Sequence, residues 1–448
     1  MRIKEGEAIL CGMAGNPIRA PRGTRDFLPE DLTLVRLMEQ TARNLALAGG
    51  FLEIRTPFFE ETTLFTRSLG DTSDVVAKEM FTVPRRGESK GPGLTFRPEG
   101  TAGAARAYVS QGLSGRAPFQ KWFYLGPMFR YERPQKGRER QFTQFGIEAF
   151  GTQSPMMDAE VIHLATRFFE ELGFGAELEV RVNTMGDLAD RDRWRQQLTA
   201  FFLPGLGNRC SDCQDRATRN VFRLLDCKSS TCQEANQGAP SLWDTLGDEA
   251  KAHHEAVTAA LRTLGREPQL DTGIVRGLDY YTRTVFEVHC PTLGARSALC
   301  GGGRYDGLVE EVGGVPTPAV GFAIGFTPTE IAMTELGLPA AEKLAQLKRF
   351  DQPQVYVVAV TADDRPHVLQ LADSLRRENL GRIDLDYRDK SLKAQFKEAG
   401  KSGSLTCVVL GPDEREAGVA VLRNMETREE TSVPLAELPE RIRQQLQS

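Results

Sequence analysis

Apolar and polar positions along this chain alternate between two rhythms, one of helical spacing and one of strict two-residue alternation. Behind Asp31, the residues Leu34, Leu37, Met38, Thr41 and Leu45 recur at helical spacing, which predicts a capped amphipathic helix. Gly49-Gly50 ends it, and Phe51 to Pro57 reads as a strand stopped by its proline. Helix and strand segments alternate from 94 to 151, then comes an amphipathic helix from Ala159 to Leu172 and a strand from Leu178 to Asn183. Between about 186 and 268 the pattern gives way to helices and polar loops, as expected of an inserted subdomain. The strand pattern returns at Thr282–His289, and Gly301-Gly-Gly303 reads as a glycine-rich turn. Strands pairing across such an insertion predict an antiparallel sheet with helices packed on it, an α+β arrangement.

Residues 348 to 354 read as a charged, proline-containing linker. Beyond it, strand 355–360, helix 365–379, strand 382–386, helix 391–400 and strand 405–410 predict a compact α/β domain with a mostly parallel sheet. Residues 1–20 are expected to be a disordered leader, with Met13 an alternative start. The domain boundaries expected are therefore 1–20, 21–348 with an insertion at about 186–268, and 352–448.

With 448 residues the chain is too long for one ordinary core. No apolar run reaches the length of a membrane span, and the first residues lack the apolar stretch of an export signal, so a cytoplasmic enzyme is the expectation. A net charge of −5 argues against general coating of nucleic acid but permits local basic patches.

Four arginines, a lysine, three glutamates and three glutamines fall between Arg130 and Glu148, with a hairpin rhythm interrupted at Pro134-Gln-Lys-Gly137. Phe142, Phe145 and Ile147 give the second half an apolar side. Arginines on paired strands facing a cleft would clamp phosphate oxygens; a solvated, salt-bridged hairpin is the alternative. Arg97-Pro-Glu-Gly-Thr101 sets a carboxylate and a hydroxyl at a turn, suited either to an amino group or to capping the helix from Ala102. Arg276-Gly-Leu-Asp-Tyr-Tyr-Thr282 offers an arginine and two tyrosines at a strand entrance. The five histidines, His163, His253, His254, His289 and His367, show no ligand spacing and no triad. Cys210-x2-Cys213 followed by Cys227 and Cys232 is compatible with zinc or with reduced structural thiols. In the C-terminal part, Arg388, Lys390, Lys393 and Lys397 predict a basic surface suited to phosphates or RNA loops, or a solvated helix face.

Taken in order, Pro21-Arg-Gly-Thr-Arg-Asp-Phe-Leu-Pro29, Arg97–Thr101, Phe129–Gly137, Arg276–Thr282 and Gly301-Gly-Gly-Arg-Tyr-Asp306 resemble the histidyl-tRNA synthetases, from about residue 20 to 440. The resemblance implies an antiparallel class II catalytic sheet, a helical insertion, a C-terminal anticodon-binding domain, and a homodimer through the segment ending at Pro57. It implies ATP with Mg2+, L-histidine and tRNA(His) as substrates. Glu99, Thr101, Gln144, Glu148, Tyr280, Tyr281 and Tyr305 would surround the histidine, with Glu148 and Tyr281 near its imidazole. Arg130 would grip the α-phosphate, Phe142 would stack on adenine, and Glu132 and Arg138 would complete the nucleotide site. Arg276 would place charge between carboxylate and α-phosphate. Gln135 and Arg140 would meet the acceptor end of the tRNA.

One position departs from the pattern. The third class II motif usually ends Gly-hydrophobic-Glu-Arg, and here Gly325-Phe-Thr-Pro328 puts proline where the arginine would fall. Thr327 to Glu330 keeps the spacing of a capping box with proline in the first turn. A phosphate cation is lost, to be compensated by Arg138 or Arg304. Two readings follow: a working histidine–tRNA ligase, or a synthetase-like paralogue that binds histidine in a regulatory role.

Overall fold

A computed structural model describes residues 18–447 apart from 71, 72, 74, 85–92, 134, 176, 226, 228, 275–279 and 352. The expected leader therefore lies almost wholly outside the described residues. The chain forms two compact units, Leu336–Ser448 with Leu28–Leu37, and the remainder.

The strands of the larger unit are β1 Leu52–Glu53, β2 Phe59–Glu61, β3 Thr82–Val83, β4 Leu94–Phe96, β5 Gln120–Phe129, β6 Gln141–Phe150, β7 Glu179–Thr184, β8 Gln269–Leu270, β9 Thr282–His289, β10 Ala298–Arg304 and β11 Ala319–Gly325. Eight of them make one sheet in the order β1-β5-β6-β11-β10-β9-β7-β8, and β2-β4-β3 make a small separate sheet. The six central strands are antiparallel throughout, with short parallel strands at both edges. Only Leu52 and Glu53 of the expected strand before Pro57 are paired.

Alternation along β6 divides its side chains between two environments. Phe145 and Ile147 point into the core, fully buried, and Phe145 packs edge-on against Phe123 and Phe322 and near Phe168 of the helix Pro155–Glu171. Phe142, in phase with Gln144 and Glu148, lies on the opposite face, so the apolar side expected of this strand excludes it. The helical insertion, from Leu188 to Thr263, sits between β7 and β8, and its own core includes Trp194, Leu198, Phe202, Phe222 and Leu242.

Gly301-Gly-Gly303 is not a turn; all three glycines belong to β10. A Cβ on Gly302 would lie 2.2 Å from the Gly321 carbonyl oxygen, and one on Gly303 2.4 Å from that of Thr284. Glycine is required there by close backbone approach.

The smaller unit has strands β12 Val355–Ala359, β13 Ile383–Leu385, β14 Thr406–Leu410, β15 Val419–Asn424 and β16 Glu430–Pro434, ordered β13-β12-β14-β15-β16. The first three run parallel and the last two add antiparallel. The helix Ala341–Asp351 occupies most of the stretch expected to be a linker. Its run of helix formers outweighs the charge pattern, and Pro353 marks where it stops.

Candidate active site

One face of the large sheet is paved with small residues. Register places Gly126 of β5 beside Gln144, Gly146 beside Ala323, Glu148 beside Gly321, and Gly321 beside Gly303. The result is a shallow trough whose glycines admit side chains lying across the sheet, Arg97 over Gly126, Tyr124 over Gly146 and Glu148 over Gly321.

The inner end is buried and polar. Glu148 is fully buried; its Oε1 accepts the Thr101 hydroxyl at 2.6 Å and its Oε2 accepts the Tyr305 hydroxyl. Burial raises the Glu148 carboxyl to about 8, against the pull of those two hydrogen bonds, and the nearby Glu99 adds to the rise. Glu99 is itself held at the start of the helix Thr101–Ser110, accepting the Thr101 amide at 2.6 Å and the Ala102 amide at 2.9 Å. Its carboxyl is also raised, because desolvation outweighs those two donors. Gln144 accepts the Gly100 amide at 3.2 Å. The rings of Tyr280 and Tyr281 lie 4.7 Å apart, and Tyr280 meets Tyr305 at 5.6 Å. Burial lifts the Tyr280 and Tyr305 phenols well above their ordinary range, so both remain neutral.

Tyr124 completes this end, a residue that no motif in the sequence singles out. A Cβ on Gly100 or on Gly146 would fall 2.2 Å from its ring, and its hydroxyl lies 3.5 Å from that of Thr101. The signal was an aromatic residue in register with a glycine on the neighbouring strand.

The outer end is open and charged. Arg130, just past β5, donates from Nε to the Pro98 carbonyl at 2.9 Å and lies over Phe142 at 5.4 Å from the ring centre. Arg138 Nη1 lies 3.1 Å from Glu132 Oε2, and Arg130 Nη1 3.9 Å from Oε1 of the same carboxylate. More than half of the Arg138 side chain is exposed. Gln135 and Arg138 close the hairpin through paired backbone hydrogen bonds. Arg140 donates to the carbonyls of Glu132 and Arg22, each at 3.3 Å, and covers the Tyr131 ring.

The structure thus gathers Glu99, Thr101, Gln144, Glu148, Tyr280, Tyr281 and Tyr305 at one end, and Arg130, Glu132, Arg138 and Phe142 at the other. Arg276 lies outside the described residues. Arg97 of the same motif as Glu99 is tied to the carbonyls of Pro127 and Thr56 at 3.0 Å each, its guanidinium lying over Gly126. Pro328 stands in the first turn of the helix Phe326–Leu336, its ring 3.2 Å from where a Cβ on Gly325 would be. The neighbours of Pro328 are spoken for: Thr327 donates its hydroxyl to Glu139 at 2.7 Å, and Glu330 pairs with Arg25.

Arg304 does not fill the gap left by Pro328. It is fully buried, paired with Asp158 and Asp306 and bonded to the Thr152 carbonyl at 2.8 Å. The histidines take structural places among these elements: His253 faces Asp158, and His289 bridges Glu287 and Ser297. In the smaller unit, Arg388 and Lys390 both turn onto Glu398, at 3.0 and 2.7 Å, which draws its carboxyl down to about 2. Part of the basic charge expected there is thus offset by Glu398, while Lys393 and Lys397 lie exposed on the helix Leu392–Ser402. Cys210, Cys213, Cys227 and Cys232 converge in the insertion.

A mostly apolar cavity of about 1060 Å3 lies away from this trough, among Leu45, Phe119, Met157, Leu164 and Leu264. The trough is favoured as the reactive site because convergent polar groups with displaced titrations, not volume, supply chemistry.

Comparison with known proteins bears on both units. The family described as histidyl-tRNA synthetase matches residues 23–328, and the anticodon binding domain matches 354–445. The chain is 44% identical over 418 residues to a histidine–tRNA ligase of Desulforamulus reducens, covering 93% of this chain and 97% of that one. It is 43% identical over 425 residues to that of Anaeromyxobacter dehalogenans, covering 95% and 99%. Among solved structures, apo histidyl-tRNA synthetase of Staphylococcus aureus superposes with a TM-score of 0.79 at 33% identity, covering 95% of this chain and all of that one. An antiparallel sheet with a buried carboxylate pocket at one end of a glycine-paved trough and arginines at the other, matched along nearly its whole length by these relatives, places the chain in the histidyl-tRNA synthetase family.

Proposed function

We infer that this chain ligates L-histidine to tRNA(His) through a histidyl-adenylate, taking ATP as its Mg2+ complex. The observation that carries this reading is the buried junction of Glu148 with Thr101 and Tyr305, at the closed end of a trough whose open end holds Arg130. A carboxyl that keeps its proton up to about 8 can donate to an imidazole, or accept from one once that proton is lost, whereas Glu99 on its helix N-terminus suits an ammonium group. The histidine carboxylate would then point along the glycine floor toward Arg130.

The reaction is in-line attack of that carboxylate on the α-phosphorus of ATP, with pyrophosphate leaving. The terminal ribose hydroxyl of the tRNA then takes the histidyl group from AMP. No protein nucleophile is needed, and catalysis rests on alignment and on cations facing charge as it develops. Arg130 is suited to the α-phosphate and Phe142 to adenine, with the Glu132–Arg138 pair beside them. Arg276 is assigned charge between carboxylate and α-phosphate on family likeness. Gln135 and Arg140 stand where a hairpin can meet an acceptor stem.

With Arg304 committed to Asp158, Arg138 is the better replacement for the cation absent at Pro328, since its side chain is exposed and its ion pair among the described residues is with Glu132. A homodimer is supported by half-exposed Leu52, Phe58 and Phe59 at the start of the larger unit. A cytoplasmic place fits the reaction, and no helix among the described residues is long and apolar enough to cross a membrane. The anticodon binding domain at 354–445 favours a ligase over a regulatory histidine-binding paralogue.

The test is histidine-dependent exchange of pyrophosphate into ATP, followed by charging of tRNA(His). Both should proceed. Exchange no faster than that of an Arg276→Ala control would leave only histidine binding.

A further inference from the structure

We propose that the helical insertion holds one structural zinc ion on four thiolates, Cys210, Cys213, Cys227 and Cys232. Their sulfurs all lie within 4.8 Å of one another, and Cys210 Sγ is 3.7 Å from Cys227 Sγ. A zinc–thiolate bond of about 2.3 Å gives a tetrahedron whose edges are about 3.8 Å. The separation is far from the bonding distance of about 2.05 Å in a disulfide. It is also too tight for a cluster in which each thiolate binds a different iron.

Burial in the two short helices points the same way. Among the described side chains of the helix Ser211–Arg219 the buried one is Cys213, and in Ser230–Glu234 it is Cys232. Helices of nine and five residues are marginal without tertiary anchoring. Here each turns inward a thiol in place of an apolar residue. Leu, Val or Ile would serve a plain core better, whereas four converging thiols serve a metal.

The backbone around the site is prepared for it. The Cys210 amide points at Cys232 Sγ at 3.4 Å, an orientation that favours negative sulfur. Arg209, largely buried, bridges the two cysteine-bearing segments, donating to Asn236 Oδ1 and to the Ala235 carbonyl at 2.9 Å each. Asn236 in turn donates to the Leu224 carbonyl at 3.0 Å. Four protein ligands leave no open position, so the ion is structural and takes no part in the ligation. Its influence on the reaction passes through the fold: Arg191, in the insertion's first helix, donates to the Tyr281 carbonyl at 3.0 Å.

The full chain, purified without chelator, should contain about one zinc per chain by elemental analysis. Replacement by cobalt(II) should give the intense visible bands of a tetrahedral site together with thiolate charge transfer. Cys232→Ser should cut zinc content at least about tenfold. Cys210→Ser, at the least buried of the four, should do likewise and guards against a variant that fails to fold, and Cys407→Ser should keep its zinc. Zinc below about a tenth of an ion per chain in folded wild-type protein would overturn the proposal. So would disulfides among these cysteines, or iron with acid-labile sulfide.

Discussion

The two ends of the trough solve opposite problems with different materials. The inner end is built from Glu148, Thr101, Tyr305, Tyr280 and Tyr124, all nearly inaccessible, with each carboxylate oxygen of Glu148 already bonded. The outer end is built from Arg130, Arg138 and Arg140, each leaning on a carbonyl or carboxylate that a phosphate can displace. Buried, preformed hydrogen bonds discriminate, because a wrong ligand strands a polar group that water cannot reach. Exposed arginines attract and adjust but discriminate little. Identity of the amino acid should therefore be set at one end, and affinity for the nucleotide at the other.

Changing the inner end should cost most. Glu148→Gln keeps the volume but offers one acceptor to two donors, and kcat/KM for histidine should fall roughly 10²–10³-fold, about 3–4 kcal/mol. The loss should appear in histidine rather than ATP saturation in pyrophosphate exchange. Arg304→Ala tests a buried arginine that is not part of the trough. Stranding Asp158 should destabilise the fold by about 3–5 kcal/mol in chemical denaturation. Arg138→Ala should leave stability almost unchanged while raising KM for ATP roughly tenfold, and adding Pro328→Arg should recover much of it. A single variant that moved KM for both substrates equally would blur the division between the ends.

The smallest effect is one of pH. The folded state keeps the Glu148 proton up to about 8, whereas an unfolded glutamate releases it near 4.5. Between these values the folded protein binds more protons, so this group's contribution to stability falls as pH rises, most of the loss falling below pH 8. Bound histidine and Glu148 can share one proton, as imidazole with carboxylic acid or imidazolium with carboxylate. Histidine affinity should thus be flat between roughly pH 6.5 and 8 and weaken on either side. In Glu148→Gln the alkaline decline should disappear.

Much of the scaffold was legible along the chain, because short apolar, β-branched runs bounded by polar or turn residues mark strands even where both faces are covered. β6, β9 and the first three strands of the smaller unit are examples, β12 and β14 being buried at every position. The glycines of β10 were not, since a glycine that admits a neighbouring backbone and a glycine that turns the chain look alike without the partner strand. Phe142 went to the wrong face when aromatic character was weighed above phase. Tyr124 was hidden by its apolar neighbours Phe123 and Leu125. The pairing of Arg388 and Lys390 with Glu398 depends on a helix folding back over a loop, which a count of charges does not contain.

The division of labour can be tested most directly by pyrophosphate exchange across a panel of amino acids, in wild type and in Glu148→Gln. Wild-type exchange should depend on histidine alone, and the variant should lose histidine saturation while KM for ATP stays within about twofold. Equal exchange with other amino acids, or an unchanged KM for histidine in the variant, would contradict the assignment of the buried carboxyl as the reader of the imidazole.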